Sequence, residues 1–173
     1  PHAWRLPTDT RPGRWLMHIL GEIYVQEEAA MLAGHLVGAQ PGEQVLDMCA
    51  APGGKSLQLA VAMGDQGTLV LNEKGFGRRA GLRRNLERFG LTCATISQND
   101  GARIPVPETG FDRILVDAPC TCEGTSRKKV GRRIRRDSSD RDVLVQVQVS
   151  LLRRAMKLVK PGGTVVYSTC TYA

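Results

Sequence analysis

The sequence lacks an apolar run long enough to cross a membrane, which takes about 20 consecutive residues in a helix. Its first segment, PHAWRLPTDTRPGRW, is polar and contains prolines, unlike a signal peptide. Internal repeats and low-complexity tracts are also missing. These absences predict a globular protein with no membrane partner.

Cysteine and histidine are too scattered to predict a disulfide framework or a metal site. The 5 cysteines are an odd number, which argues against a disulfide scaffold. Cys120 and Cys122 are too close in sequence for half of a usual zinc knuckle, and His2, His18 and His35 lie far from them. We therefore expect no metal, reduced thiols and a cytoplasmic location.

The chain is basic and long enough for one domain. Its 173 residues can bury a core, and its formal net charge is +7 with a pI of about 9.5. A surplus of this size favours a polyanionic partner, with nucleic acid ahead of membrane. The alternative is a basic surface that is merely solvated.

Apolar periodicity predicts strands that alternate with helices. Short apolar strands are expected at residues 44–48, 68–71, 93–96, 113–116 and 164–167. Helical spacing is found at residues 27–37, 56–63, 78–89 and 143–159, and Pro161-Gly162-Gly163 ends the last helix. This order predicts an α/β fold, a mostly parallel sheet with helices on both faces.

Two divisions of the chain follow from this pattern. Residues 1–40 are expected to form an N-terminal lead-in segment with one helix, and residues 41–173 the α/β domain. The chain stops just after the fifth strand, which would leave an open sheet edge unless something pairs with it. We therefore expect the domain to be truncated at its C-terminus.

Polar and reactive residues cluster where the predicted strands end, which is where ligands bind in such sheets. The string DMCAAPGGK follows the first strand and opens a helix, so its small residues allow close approach and its free N–H groups suit a carboxylate. It contains neither GxxxxGK[ST] nor GxGxxG. The alternative is a plain strand-to-helix turn.

Two acids follow the next strands. Glu73 stands where a carboxylate commonly holds ribose hydroxyls, and Asp100 could accept a hydrogen bond from an adenine amino group. The alternatives are a solvated loop acid and a turn residue before Gly101. Asp117 and Cys120 follow the fourth strand, and Cys170 follows the fifth.

The two cysteines at matched strand ends indicate a catalytic role, although a lone cysteine is usually a small hydrophobic residue. Next to them runs a basic segment, RKKVGRRIRR, which is expected to contact phosphates or else to be a solvated loop. The cations proposed for phosphate contact are Arg127, Lys128, Lys129, Arg132 and Arg133.

The strings LDMCAAPGGKS, LNEKGFGRR, VDAPCTCEGTSRK and YSTCT resemble the RNA cytosine-C5 methyltransferases of the NOL/NOP/Sun family, and are most similar to bacterial F-type enzymes acting on small-subunit ribosomal RNA. The resemblance extends from about Gly21 to the end. It implies a Rossmann-like methyltransferase fold that uses S-adenosylmethionine. Cys122 departs from the pattern, because the family usually has glycine there.

The resemblance also implies residue roles. The methionine part of the cofactor would be wrapped by Cys49, Ala50, Ala51, Pro52, Gly53, Gly54 and Lys55. Glu73 would hold the ribose and Asp100 would lie near the adenine. Asp117 would lie close to both the cofactor and the target base. Cys170 would be the nucleophile and Cys120 would help release the product, with Lys55 as a further catalytic candidate.

The chemistry requires a thiolate that adds to carbon 6 of cytosine and makes carbon 5 nucleophilic. We therefore expect the pKa of the nucleophilic thiol to be lowered by its surroundings. The target base has to leave its stack. Two alternatives are a DNA cytosine-C5 methyltransferase, which would attack through Cys120, and an RNA-binding scaffold that has lost turnover.

Overall fold

A parallel five-stranded sheet forms the centre of the molecule. The structure is a computed structural model that describes residues 3–124 and 138–171. Its strands are β1 (Gln44–Asp47), β2 (Thr68–Asn72), β3 (Ala94–Ser97), β4 (Phe111–Asp117) and β5 (Val159–Ser168). They lie in the order β3-β2-β1-β4-β5, and each pairing is parallel.

In the described residues, five α-helices accompany the sheet. They are α1 (Leu16–Ile19), α2 (Glu28–Val37), α3 (Gly54–Ala62), α4 (Phe76–Phe89) and α5 (Ser138–Leu158), with 3-10 turns at Pro12–Arg14 and Gly101–Arg103. Helices α2 and α4 end at Gly38 and Gly90, both in the left-handed conformation that favours glycine.

Alternation along the strands sends neighbouring side chains to opposite faces of the sheet. Val45 and Leu115 belong to a core shared with α2, α3 and α4. Leu46 and Ile114 belong to a second core, which α5 covers. The predicted α/β fold with helices on both faces is therefore confirmed, and the division at residue 40 stays a prediction.

The last strand differs from the prediction. The sequence places Pro161-Gly162-Gly163 between α5 and a strand at residues 164–167, whereas β5 begins at Val159 and includes the three residues. Val159 pairs with Phe111 and Thr164 with Arg113, so β5 bulges between these pairs. Gly162, with a φ of 80°, provides the turn that this bulge needs.

Within the part of the chain that the structure describes, no helix combines the length and apolar character that a bilayer-spanning segment needs.

Candidate active site

The C-terminal ends of the strands open into one large cavity of about 1540 Å³. Small-molecule sites usually occupy roughly 300–1,000 Å³. The lining contains every residue that the sequence analysis assigned to catalysis, and every one assigned to the cofactor except Gly53. The cavity therefore has room for a cofactor together with part of a second reactant.

The loop after β1, residues 49–55, is tied to the sheet and to α4. Ser56 Oγ donates to Asp47 Oδ2 at 2.8 Å, and the Cys49 N–H donates to Asp47 Oδ1 at 3.2 Å. From α4, Arg78 donates to the Ala51 carbonyl at 2.6 Å and Asn85 to the Pro52 carbonyl at 2.7 Å. We call residues 49–55 the cofactor loop, and these bonds fix its backbone.

Glycine is required at the point where the cofactor loop becomes α3. Gly53 has a φ of 110°, a conformation that other residues rarely adopt. At Gly54 a Cβ atom would lie only 2.7 Å from Tyr24 Cε1. The start of α3 is thus a small-residue cradle that opens on the cavity.

Burial changes the acidity of the groups below this loop. Asp47 is 1% exposed, and desolvation raises its pKa to about 6 although Ser56 and the Cys49 N–H donate to it. Desolvation, with the nearby charges of Asp47 and Glu73, raises the pKa of Cys49 to about 12. Cys49 is therefore a neutral thiol near pH 7.

Glu73 is a buried carboxylate at the cavity wall, with 4% of its surface exposed. Its Oε1 accepts from the Gly75 N–H at 2.8 Å. Its Oε2 lies 3.3 Å from Arg78 Nη1, but among the described residues no donor makes a hydrogen bond to it. A buried acceptor left in this state suits a hydroxyl donor from a ligand.

Asn72 connects three strand ends, and the sequence analysis missed it. Its Nδ2 donates to the carbonyls of Met48 and Asn99, both at 3.1 Å. Its Oδ1 accepts from Ser97 Oγ at 2.9 Å and from the Asn99 N–H at 2.8 Å. A buried asparagine with both ends of its amide bonded sets the spacing of the loops around the cavity.

Asp100 is at the predicted place, but its oxygens have protein partners. Lys74 Nζ lies 2.7 Å from Oδ2, and the Ala102 N–H donates to Oδ1 at 3.1 Å. The hydrogen bond from Lys74 and that from Ala102 hold the pKa of Asp100 below its usual value. An adenine amino group would have to share an oxygen with these donors.

A lysine and an aspartate form an ion pair between the cofactor loop and the end of β4. Lys55 Nζ lies 2.6 Å from Asp117 Oδ2, and Ser168 Oγ donates to Asp117 Oδ1 at 2.8 Å. Ser168 ends β5, so this network joins three loops. The structure thus brings together Lys55 and Asp117, both predicted catalytic residues.

Cys120 and Cys170 are in direct contact, as the matched strand ends predicted. Their Sγ atoms are 3.3 Å apart, and the Cys170 N–H also points at Cys120 Sγ at 3.3 Å. Cys122 Sγ donates to the Cys120 carbonyl at 3.3 Å. The three sulfurs lie within 4.8 Å of one another, and we call these residues the cysteine cluster.

The expected lowering of the nucleophile's pKa is wrong for this structure. Desolvation, followed by the hydrogen bonds with Cys120 and Cys122, raises the pKa of Cys170 to about 12. Lys55, the predicted catalytic cation, is paired with Asp117. The resting site therefore holds Cys170 as a thiol.

The predicted RNA-binding residues lie outside the described residues; they are Arg127, Lys128, Lys129, Arg132 and Arg133. The structure adds cations of α5 that line the cavity, namely Arg153, Arg154 and Lys157. They were not predicted from the sequence, although Arg153 and Lys157 are spaced i, i+4 along the helix. Arg78 was also missed, because it resembles any other cation of the basic helix.

A family model described as 16S rRNA methyltransferase RsmB/F matches residues 35–173. The chain belongs to this family. A relative from Vibrio vulnificus, the ribosomal RNA small subunit methyltransferase F, is 40% identical over 165 residues, which are 92% of this chain and 34% of the relative. The chain thus spans about a third of the length of the curated relatives it matches.

Solved structures agree with the RsmB/F assignment. NSun6 from Pyrococcus horikoshii, solved with the S-adenosylmethionine analogue SFG, has a TM-score of 0.85 and 27% identity, covering 97% of this chain and 42% of that one. A methyltransferase homolog from the same organism has a TM-score of 0.83 and 33% identity, covering 95% and 52%. The fold is that of an S-adenosylmethionine-dependent methyltransferase, and S-adenosylmethionine is the cofactor of the family.

Proposed function

We propose that this RsmB/F chain transfers a methyl group from S-adenosylmethionine to carbon 5 of a cytosine in RNA, through a covalent bond between Cys170 and carbon 6. The observation that carries the proposal is the 3.3 Å contact between Cys120 and Cys170 at the cavity that Lys55 and Asp117 also line. The relatives' printed names support ribosomal RNA as the substrate. We propose tRNA as the alternative substrate and the cytoplasm as the location.

We assign the part of the cavity lined by the cofactor loop, Glu73 and Asp100 to the cofactor and call it the cofactor half. The cofactor loop would wrap the methionine part, since it lines the cavity at the N-terminus of α3, whose N–H groups suit a carboxylate. Glu73 would accept from a ribose hydroxyl through Oε2. Asp100 would lie near the adenine. When bound, the cofactor supplies an electrophilic methyl group on a sulfonium cation.

Cys170 begins the reaction by losing its proton to water and attacking carbon 6, which places the electron pair of the broken ring double bond at carbon 5. Carbon 5 then forms a bond to the methyl carbon, and the electron pair of the broken sulfur–methyl bond stays on the leaving sulfur. Transfer of the carbon 5 proton to water reforms the double bond and expels the Cys170 thiolate. Cys120, in contact with Cys170, would assist that expulsion by returning a proton to the departing sulfur.

Asp117 is the group that would hold the base. Its carboxylate is oriented by Lys55 and Ser168, so it can accept from the cytosine amino group without changing its position. This arrangement lets one aspartate fix the base against the cofactor, and such positioning contributes much of the rate in bimolecular reactions.

Basic side chains would bind the RNA backbone. We propose that the Arg127–Lys129 run, with Arg132 and Arg133, contacts the phosphates, and that Arg153 and Lys157 of α5, which line the cavity, contact further phosphates. The target base would be flipped out of its stack, since a stacked base cannot reach a cysteine at the sheet rim.

Mass spectrometry of single cysteine variants with RNA and cofactor tests the proposal. Cys170→Ala should lose both adduct and product, a fall of at least about a thousandfold. Cys120→Ala should still attack, but it should accumulate a protein–RNA adduct that survives denaturation. Cys93→Ala is the matched control, because Cys93 is outside the cavity lining.

The alternatives give other patterns in the same experiment. An adduct through Cys120 in the Cys170→Ala protein would show the arrangement of a DNA-type enzyme and end the assignment. Cofactor and RNA binding without any methyl transfer would select the scaffold that has lost turnover.

A further inference from the structure

The third thiol of the cysteine cluster has no role in the reaction proposed above. Cys122 is exposed, and its Sγ lies within 4.8 Å of both other sulfurs. Its φ is 61°, in the left-handed region that glycine adopts without cost and other residues rarely adopt. The backbone at this position therefore suits glycine, and the chain places a sulfur there instead.

We propose that Cys120, Cys122 and Cys170 together form a trithiolate binding site for a thiophilic d10 metal ion such as Zn²⁺. Two of the sulfurs come from the loop after β4 and the third from the end of β5. Thiolate sulfur is the donor that such ions prefer over the oxygen donors elsewhere at the rim.

The distances fit this coordination. A Zn–S bond is about 2.3 Å long, so three sulfurs around one ion lie roughly 3.8–4.0 Å apart. The observed sulfurs are closer than 4.8 Å, and Cys120 and Cys170 are 3.3 Å apart. Rotations of three side chains on exposed or half-buried loops would bring all three to the required spacing.

Binding of the metal ion would release the protons of the three thiols. The ion accepts one sulfur electron pair from each cysteine, each thiol gives its proton to the solvent, and no oxidant or reductant takes part. Three protein ligands leave one tetrahedral position open to water from the cavity. Because the ion would occupy the sulfur of Cys170, binding should block methyl transfer, a consequence that rests on the proposed function.

Titration of the reduced protein with Cd²⁺ alone tests the site without any need for activity. One ion per chain should bind, with a thiolate-to-metal charge-transfer band that reports three sulfurs. Cys122→Gly, which suits the local backbone, should retain about two-thirds of that band and bind at least about tenfold more weakly. Cys93→Ser is the matched control and should behave like the parent protein.

A band in Cys122→Gly as intense as that of the parent would overturn the proposal, as would an equal loss in Cys93→Ser. Zn²⁺ competition against a chromophoric chelator should give the same ranking of the variants. In methylation assays, Zn²⁺ should inhibit the parent at concentrations that spare Cys122→Gly. A protein that binds Cd²⁺ as described but never methylates RNA would refute the proposed function and leave the metal site standing.

Discussion

The loops after β1 and β2 and the loops after β4 and β5 face the same cavity, but they are held in different ways. The cofactor loop rests on buried polar groups, among them Asp47 and Asn72, each 1% exposed. The cysteine cluster is half-buried or exposed and is joined by sulfur contacts. One half is thus fixed before any ligand arrives, and the other is left adjustable.

The two halves also differ in charge. The cofactor half contains carboxylates with fixed partners, such as Glu73 beside Arg78. In the cysteine half, the part of the cavity lined by the cysteine cluster, the raised pKa of Cys170 keeps this thiol neutral. If the cofactor binds as proposed, its positive sulfonium should lower this pKa, because a nearby cation favours the thiolate.

The largest expected effect concerns alkylation of Cys170 in the absence of ligands. With its pKa raised to about 12, Cys170 should react with iodoacetamide at pH 8 about a thousandfold more slowly than an unperturbed cysteine, and the rate should rise about tenfold per pH unit. Peptide mapping by mass spectrometry gives the rate. S-adenosylmethionine should accelerate it and the neutral, demethylated product should not; equal effects of the two would remove the sulfonium from the explanation.

Asp47 should make the free energy of unfolding depend on pH. Its pKa is about 6 in the folded protein and about 4 in an unfolded chain, so the folded state binds the proton more tightly and stability falls as pH rises. This one group should lower the free energy of unfolding by about 2 kcal/mol between pH 4 and pH 7. Urea unfolding of Asp47→Asn should lack this part of the decline.

The control for that measurement is Asp65→Asn. Hydrogen bonds from Thr92 and Cys93 lower the pKa of Asp65, so its contribution is lost only when pH falls below the usual carboxylate range. In Asp65→Asn, the free energy of unfolding should therefore fall between pH 4.5 and pH 7 as it does in the parent protein. A parent protein with a flat profile there would show that Asp47 is not buried as described.

Replacing Glu73 should weaken cofactor binding without affecting the cysteine half. Glu73→Ala removes a charged acceptor, which should cost about 1–3 kcal/mol of binding free energy, measured by calorimetry with S-adenosylmethionine. Glu87→Ala, on the exposed side of α4, is the control. Unchanged affinity in Glu73→Ala would remove this carboxylate from the site.

The smallest expected effect is at Gly54. In Gly54→Ala the new methyl group would meet the Tyr24 ring 2.7 Å away, and displacing the ring should weaken cofactor binding by about 1 kcal/mol. Gly77→Ala is the matched control, because nothing lies within 4 Å of its Cβ position and alanine favours a helix. If both variants bind the cofactor like the parent, the cradle is less rigid than the comparison of the halves implies.

The order of strands and helices could be predicted because it depends on local periodicity. Leu46 and Leu115 are apolar residues in short runs, and each run became a strand. The start of β5 could not be predicted, since a proline and two glycines usually end an element and only the pairing with β4 extends the strand through them. Such pairing is a property of the assembled sheet.

The members of the site were predicted from their places at strand ends, but their acidity was not. The structure brings Cys120 and Cys170 together as expected. The raised pKa of Cys170 comes from desolvation and from neighbouring thiols, which a linear sequence does not show. Asn72 was missed for a similar reason, because a polar residue after an apolar run gives no sign of what surrounds it.

Asn72 is also a position where mutation has almost no acceptable outcome. Aspartate has the same shape, but it would set a negative charge against the carbonyls of Met48 and Asn99. Leucine would leave Ser97 Oγ and the Asn99 N–H without an acceptor in a buried place. A residue without a proposed role in the reaction therefore limits which substitutions the loops around the cavity tolerate.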